Sequence, residues 1–289
     1  MNTDKDLLTR LLKLFPIKAV KEHFDLQGKW DEIIVEIFAK HPQKVIFDFV
    51  SANIDYTRQH VHICSLQRVF RSSSFDTEGF PLPILTAVNL NNECTIVALP
   101  VITFNVLVTK PYEETTVQFY QPIKVTLKNR HLIIQVTTLE KNLSHYFEGE
   151  RKVVDSSREP HEEYNLSAIQ YFVDSKGLDA RKCDIHKGIK KLWEDEIIDC
   201  KYLKRKKSKS TDTTTMDENY TIKRDYPDEY EGMKDKPLLK TLFRYIGEKP
   251  EYFCEHFNAD PMQGVLGIAS FPENTSQIQN IVNDILEHN

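Results

Sequence analysis

The chain has 289 residues, 38 Lys and Arg against 43 Asp and Glu, a formal net charge of −5, and is 40% hydrophobic and 10% aromatic. Such values describe a globular chain long enough for one large domain, or two or three smaller ones, and count against a low-complexity or general polyanion-binding protein. Its five scattered cysteines (Cys64, Cys94, Cys183, Cys200, Cys254) make a disulfide framework a poor fit and predict a reducing interior.

The N-terminus opens MNTDKD, with acids where a secretory signal carries positive charge. No apolar stretch approaches the roughly 18 residues of a membrane span, so a soluble intracellular protein without a membrane contact is expected.

Residues 1–64 read as a helical interaction domain. Leu7, Leu8, Leu11, Leu12, Leu14 and Phe15 form an apolar stripe broken at Pro16. A second helix is predicted from about Ile17 to Phe24, a third through Ile33, Ile34, Ile37 and Phe38. A fourth starts at Pro42 and turns Val45, Ile46, Phe49 and Val50 inward. The piece FPIKAVKEHFDLQGKWDEIIVEIF resembles the SAP-type helix-extended-helix, with Gly28-Lys29 at its turn, which implies a contact to DNA backbone. Glu22, Asp25, Asp31 and Glu32 dilute the positive charge of that motif. The segment is more similar to a protein-interaction domain of death-fold or pyrin type.

Residues 65–81 read as a linker. From Pro81 the period changes from 3.6 to 2, with runs Ile84–Leu90, Thr95–Val108, Thr115–Leu127 and Leu132–Thr138. They are punctuated by Asn91-Asn92, Lys110-Pro111 and Lys128-Asn129-Arg130. A β-meander or small barrel is predicted within a β-rich domain over 82–147, with Pro100 and Pro122 at edges, bulges or breaks and a closing helix from Glu140 to Phe147. A charged linker follows at 148–163.

Residues 164–226 carry the clearest signal. After an apolar helix comes a second, in which Ile185, Ile189, Leu192, Trp193 and Ile197 fall on one face behind Asp184 as N-cap. Lys187, Lys190 and Lys191 lie off that stripe. The chain then becomes the basic ribbon Cys200–Lys209, a Ser/Thr-rich tip, and a returning strand over Tyr220–Arg224. The run GLDARKCDIHKGIKKLWEDEIIDCKYLKR resembles the recognition helix and wing of the winged-helix superfamily. Gly188 departs from that pattern, since glycine inside a helix costs about 1 kcal/mol relative to Ala. The resemblance implies that Ile185–Glu196 approaches a DNA major groove and that the wing grips backbone phosphate. The implied contact residues are Lys187, Lys190, Lys191, Lys201, Lys204, Arg205, Lys206, Lys207 and Lys209. Lys204–Lys207 also matches a nuclear import signal, and Thr211–Thr215 offers hydroxyls for phosphorylation.

Residues 181–209 hold 11 Lys/Arg and 5 Asp/Glu, a basic island in an otherwise acidic chain. Residues 227–289 form an acidic C-terminal α/β segment, with helices predicted at Pro237–Ile246 and Thr275–Leu286 and a strand at Val265–Ala269. The fold class expected is therefore α+β: an N-terminal helical domain, a β-meander or small barrel, a winged-helix-like module and the acidic segment.

No phosphate-cradling glycine loop, His-Glu-x-x-His, Cys-x-x-Cys or Gly-x-Ser-x-Gly occurs, and no cofactor is expected. His60, His62 and Cys64 alternate, so on a strand they share a face; Cys183 and His186 are the residues that would complete a zinc set, against the plainer reading of ordinary histidines. Glu150-Arg151-Lys152 has the Glu-x-Lys spacing of metal-dependent nucleases, with Asp76 as the suggestive upstream acid. The pairs Glu113-Glu114 and Glu162-Glu163 read as surface. The expectation is a non-enzymatic DNA-associated protein of the nucleus, or of cytoplasm and nucleoid, working within a larger assembly through partners bound by 1–64 and the acidic C-terminus. The alternatives are a protein–protein adaptor whose basic run is an import signal or partner contact, and a metal-dependent nuclease.

Overall fold

The structure, a computed structural model, describes residues 3–147, 151–158, 161–206, 211–217, 220–249 and 251–289. It is a mixed α+β protein with an N-terminal helical region and a large antiparallel sheet.

Four helices open the chain: α1 (Asp4–Leu12), α2 (Ile17–Phe24), α3 (Trp30–Lys40) and α4 (Gln43–Asn53). Their ends are set locally. Thr3 and Asp6 form a reciprocal capping box on α1, and Pro16 and Pro42 stand immediately ahead of α2 and α4. Asp25 ends α2 at φ +53°, and Glu32 accepts the Lys29 N–H at 2.8 Å to start α3.

Fourteen strands follow among the described residues. They are β1 (Gln59–Leu66), β2 (Ile84–Leu90), β3 (Glu93–Ala98), β4 (Val101–Val108), β5 (Glu113–Tyr120), β6 (Ile123–Lys128) and β7 (His131–Thr137), then β8 (Val153–Arg158), β9 (Ala180–Lys182), β10 (Ile198–Lys206), β11 (Thr211–Thr215), β12 (Leu238–Tyr245), β13 (His256–Asp260) and β14 (Val265–Ile268). The helices α5 (His161–Ser175), α6 (His186–Glu194), α7 (Ile222–Asp225), α8 (Pro227–Glu231) and α9 (Gln277–Glu287) are interleaved with them. The large sheet runs β11-β10-β12-β13-β14-β1-β7-β6-β3-β2, with β9 beside β1, and β5-β4-β8 form a second sheet. Asn91 and Asn92, at φ +50° and +61°, make the β2–β3 turn, and Asn129 at φ +54° makes the β6–β7 turn.

Three apolar cores result. One joins α1–α4 to the second sheet, where Leu11, Phe15, Ile37 and Phe49 meet Phe104, Val117 and Phe119. In it the guanidinium of buried Arg10 sits 5.3 Å from the Phe119 ring and 5.5 Å from that of Tyr146. The other two lie on opposite faces of the large sheet. On one, Val61, Leu266, Ala259, Phe257, Phe243 and Leu203 pack under α6 and α9. On the other, Leu132, Ile134 and Val136 pack under Ile169, Phe172 and Val173 of α5. Cross-strand pairing settles that these faces differ: His62 stands opposite Ile134, while Val61 stands opposite Leu266.

Several elements depart from the sequence reading. Residues 59–66, read within the helical stretch 4–64, form the strand β1; its burial alternates with Gln59, Val61, Ile63 and Leu66 inward. Pro237–Ile246, predicted helical, is the strand β12, because Thr241 and Phe243 pair between β10 and β13 and their neighbours face the other way. The helix predicted at Glu140–Phe147 reduces to one 3-10 turn, Ser144–Tyr146, after the Asn142 side chain takes up the Ser144 N–H at 3.2 Å. The charged linker contributes β8, which pairs with β4. The strand returning from the basic ribbon is Thr211–Thr215, not Tyr220–Arg224, whose end winds into α7. Among the described residues no helix is long and apolar enough to cross a membrane.

Candidate nucleic-acid interface

The predicted contact residues fall on two elements. On α6 the stripe Ile185, Ile189, Leu192 and Trp193 is fully buried, which turns Lys187 and Lys191 to solvent and leaves Lys190 half-buried. They share a shallow depression with Glu194, Glu287 and His288, and Lys191 Nζ lies 2.6 Å from Asp195 Oδ1. Acid is thus mixed into the α6 surface.

The remaining contact residues belong to the ribbon. Lys201 and Lys204 lie on β10, Arg205 and Lys206 close its backbone, and Lys207 and Lys209 lie outside the described residues. A bulge sets the strand's facing. Cys200 stands opposite Phe243 and Tyr202 opposite Leu242, so Lys201 is the extra residue and Tyr202 and Lys204 face away from the α6/α9 core. The same registers carry on across the sheet. Tyr202, Leu242, Asn258, Gly267 and His60 form one cross-strand row, and Asp260, Val265 and His62 form part of the next. Arg244 pairs with His256 one row further out. The face opposite the α6/α9 core therefore begins under α5 and continues uncovered toward β10.

Lys204 stands directly opposite Lys240, both exposed, and neither makes an ion pair or hydrogen bond among the described residues. Like charges directly opposed in an antiparallel pair are destabilising. Burial lowers the pKa of His256; Glu255 opposes that shift, and Lys201 and Arg244 add to it.

At the α5 edge of this face lies a cavity of about 480 Å³. Its apolar lining includes Ile134, Val265 and Leu166 of α5, and its polar lining includes His60, His62, Lys182, Lys240, Asn258 and Asp260. Glu162, from the first turn of α5, accepts from His60 Nδ1 at 3.1 Å and lies 3.7 Å from His62 Nε2. That His62 nitrogen is buried and makes no hydrogen bond among the described residues.

The zinc constellation is not assembled. His60, His62 and Cys64 do share one face, but His186 commits Nδ1 to Asp184 and Nε2 to the Leu238 backbone, at 2.8 and 2.7 Å. Among the described residues no three His, Cys, Asp or Glu groups come together as a metal site. Burial pushes the Cys64 thiol up to about 11, so it is protonated at neutral pH. Of the Glu-x-Lys set, Glu150 lies outside the described residues, and Asp76 is held by Lys176 at 2.8 Å, whose hydrogen bond lowers the carboxyl pKa.

The platform residues on β12 and β13 were missed by the sequence reading. Their signal is the alternation Lys240-x-Leu242-x-Arg244 and His256-x-Asn258-x-Asp260, visible only once both segments are taken as strands. No family model, curated protein or solved structure matches the chain.

Proposed function

We propose that this is a non-enzymatic DNA-associated protein that holds the polyanion through residues 164–226, as part of a larger assembly. The reading takes the order helix, helix, basic hairpin as winged-helix-like, with Lys187, Lys190 and Lys191 on one side of the contact and Lys201, Lys204, Arg205, Lys206, Lys207 and Lys209 on the other. The observation that carries it is the opposed pair Lys204 and Lys240, two exposed cations held side by side that a phosphate would bridge favourably. The acidic C-terminal segment does not screen this place: its strand β12 supplies Lys240 and Arg244 to the same face.

If about five lysines and arginines neutralise phosphates, the affinity for duplex DNA falls with salt at a log–log slope of roughly −4 to −5. Replacing Lys204, Arg205, Lys206 and Lys207 together with Glu abolishes most of that binding in a titration at two salt concentrations. Unchanged affinity of the quadruple variant would overturn the reading.

The adaptor reading is favoured by one observation. Strand β2 ends the large sheet and exposes Ile84, Val88 and Leu90, the last at 65%. An uncovered apolar edge strand is a template for strand addition by another chain. Partner retention that survives nuclease digestion and is lost on Leu90→Lys would support an adaptor in place of a DNA contact.

A further inference from the structure

The opposed lysines and the cavity lie on one continuous face, and that juxtaposition says more than a basic patch alone. From β10 to β1 the face crosses four strand spacings, about 19 Å at the usual separation. Along it stand Tyr202, Leu242, Asn258, Gly267 and His60 in register, with Lys204 and Lys240 beside the Tyr202 end. A ring at each end of the row, Tyr202 and His60, offers a planar face to an unstacked base, and the lysines beside Tyr202 offer cations to phosphate. An α-helix in a major groove uses no such surface.

The cavity is the right kind of place for one base. Its volume of about 480 Å³ is that of a small-ligand pocket with an apolar lining and a few convergent polar groups. The His62 ring lines the wall with its Nε2 turned toward Glu162 at 3.7 Å, and the Asn258 amide offers both a donor and an acceptor. Gly267 keeps the wall low. A Cβ there would rest 3.5 Å from Asn258 Cβ and 3.7 Å from His60 Cδ2, in ordinary contact, so a longer side chain would stand in the cavity. Two carboxylates, Asp260 in the cavity lining and Glu162 beside His60 and His62, stand on this face, and Lys240 borders the same cavity from β12. The carboxylates suit the exocyclic amino groups of a base and disfavour a phosphate. Lys240 joins the two places, with phosphate at the Lys204–Lys240 pair and the adjoining base in the cavity that Lys240 borders.

We infer that the uncovered face of the large sheet binds a single strand of nucleic acid, with phosphate between Lys204 and Lys240 and one base in the cavity beside His62 and Asn258. This rests on the DNA-associated reading and names the form of nucleic acid that its ribbon delivers to the sheet.

The test is a fluorescence-anisotropy titration of the full chain with oligodeoxycytidylate and oligocytidylate of about 15 nucleotides, whose bases carry an exocyclic amino group, and with a duplex of equal phosphate number. Stacking a base is worth about 1–3 kcal/mol. Gly267→Val should therefore weaken single-strand binding by about tenfold or more and leave duplex affinity within about a factor of two. Lys240→Glu should also lose single-strand affinity while raising the melting temperature or leaving it unchanged, since it pairs with Lys204, a combination that damage to the fold would not imitate. Whichever oligonucleotide binds more tightly names the sugar. Single-strand affinity that survives Lys240→Glu overturns the inference, as does duplex binding in the absence of single-strand binding, and in both cases the DNA-associated reading stands. If neither form binds, both fall.

Discussion

At the scale of single residues, two positions explain themselves through neighbours far away in sequence. Gly188 stands in the middle of α6, where Ala would ordinarily stabilise the helix by about 1 kcal/mol. Here a Cβ would meet the Ile285 carbonyl oxygen at 2.1 Å, because the end of α9 packs directly on the α6 backbone. Gly188→Ala is expected to destabilise the protein by about 1–3 kcal/mol in urea unfolding, the reverse of its helix propensity. Asp199 is the second case. Its carboxylate is fully buried and accepts from Trp193 Nε1 at 2.8 Å and from the backbone N–H of Cys200, Lys223 and Arg224 at 2.7, 3.0 and 3.0 Å. One side chain thus ties the end of α6 to the start of α7. Asp199→Ala leaves those donors without an acceptor and should cost on the order of 3 kcal/mol. Asp199→Asn should lose less, since its carbonyl keeps the acceptor that serves Trp193, Cys200 and Lys223; a loss equal to that of Asp199→Ala would refute this.

At the scale of elements, legibility in the sequence followed the strength of the local signal. The helices α1–α4 were readable because Pro16 and Pro42 punctuate a regular apolar stripe. The α6 stripe was readable for the same reason, and so were the asparagine turns, where few other residues accept φ above zero. What failed was LLKTLFRY. Its three leucines imitate a helical stripe, and only pairing on both sides, with β10 and β13, makes it a strand. That single misassignment hid the platform, because Lys240, Leu242 and Arg244 share a face only at period 2. The net charge of 227–289 misled in a similar way. A segment can be acidic overall and still present its lysines together, since pairing, not composition, decides which side chains share a face.

At the scale of the whole molecule, the N-terminal helices and the second sheet hold one core between them, so removing residues 1–64 would bare Phe104, Val117 and Phe119. Point changes on exposed positions are the cleaner probe of partners. Acid sensitivity is also distributed over the molecule. Burial lowers the pKa of His23, His131 and His256 below the ordinary 6.5; in His23 the neighbouring His41 adds to it. Between those lowered values and 6.5 the unfolded chain binds more protons than the folded one, so unfolding free energy falls as pH falls through this window. The urea midpoint should hold steady above about pH 7 and drop between about pH 6.5 and 5. His131→Phe should flatten part of that drop, and a midpoint that rises on acidification would refute the assignment.

The place of β1 has a consequence for how the molecule comes to exist. Its residues Gln59–His62 pair with Val265–Ile268 on one side and with β7 on the other. At a synthesis rate of about 5–20 residues per second, β1 waits roughly 10–40 s for the partner on its β14 side. Contacts so distant along the chain also make the closing step slow. During that interval the β1 edge that β14 will cover presents bare backbone groups, and Val61 and Ile63 lack the α6/α9 layer that later buries them. Chains truncated before β14 keep that edge open and should accumulate to a lower level than the full chain, a difference that pulse labelling would read.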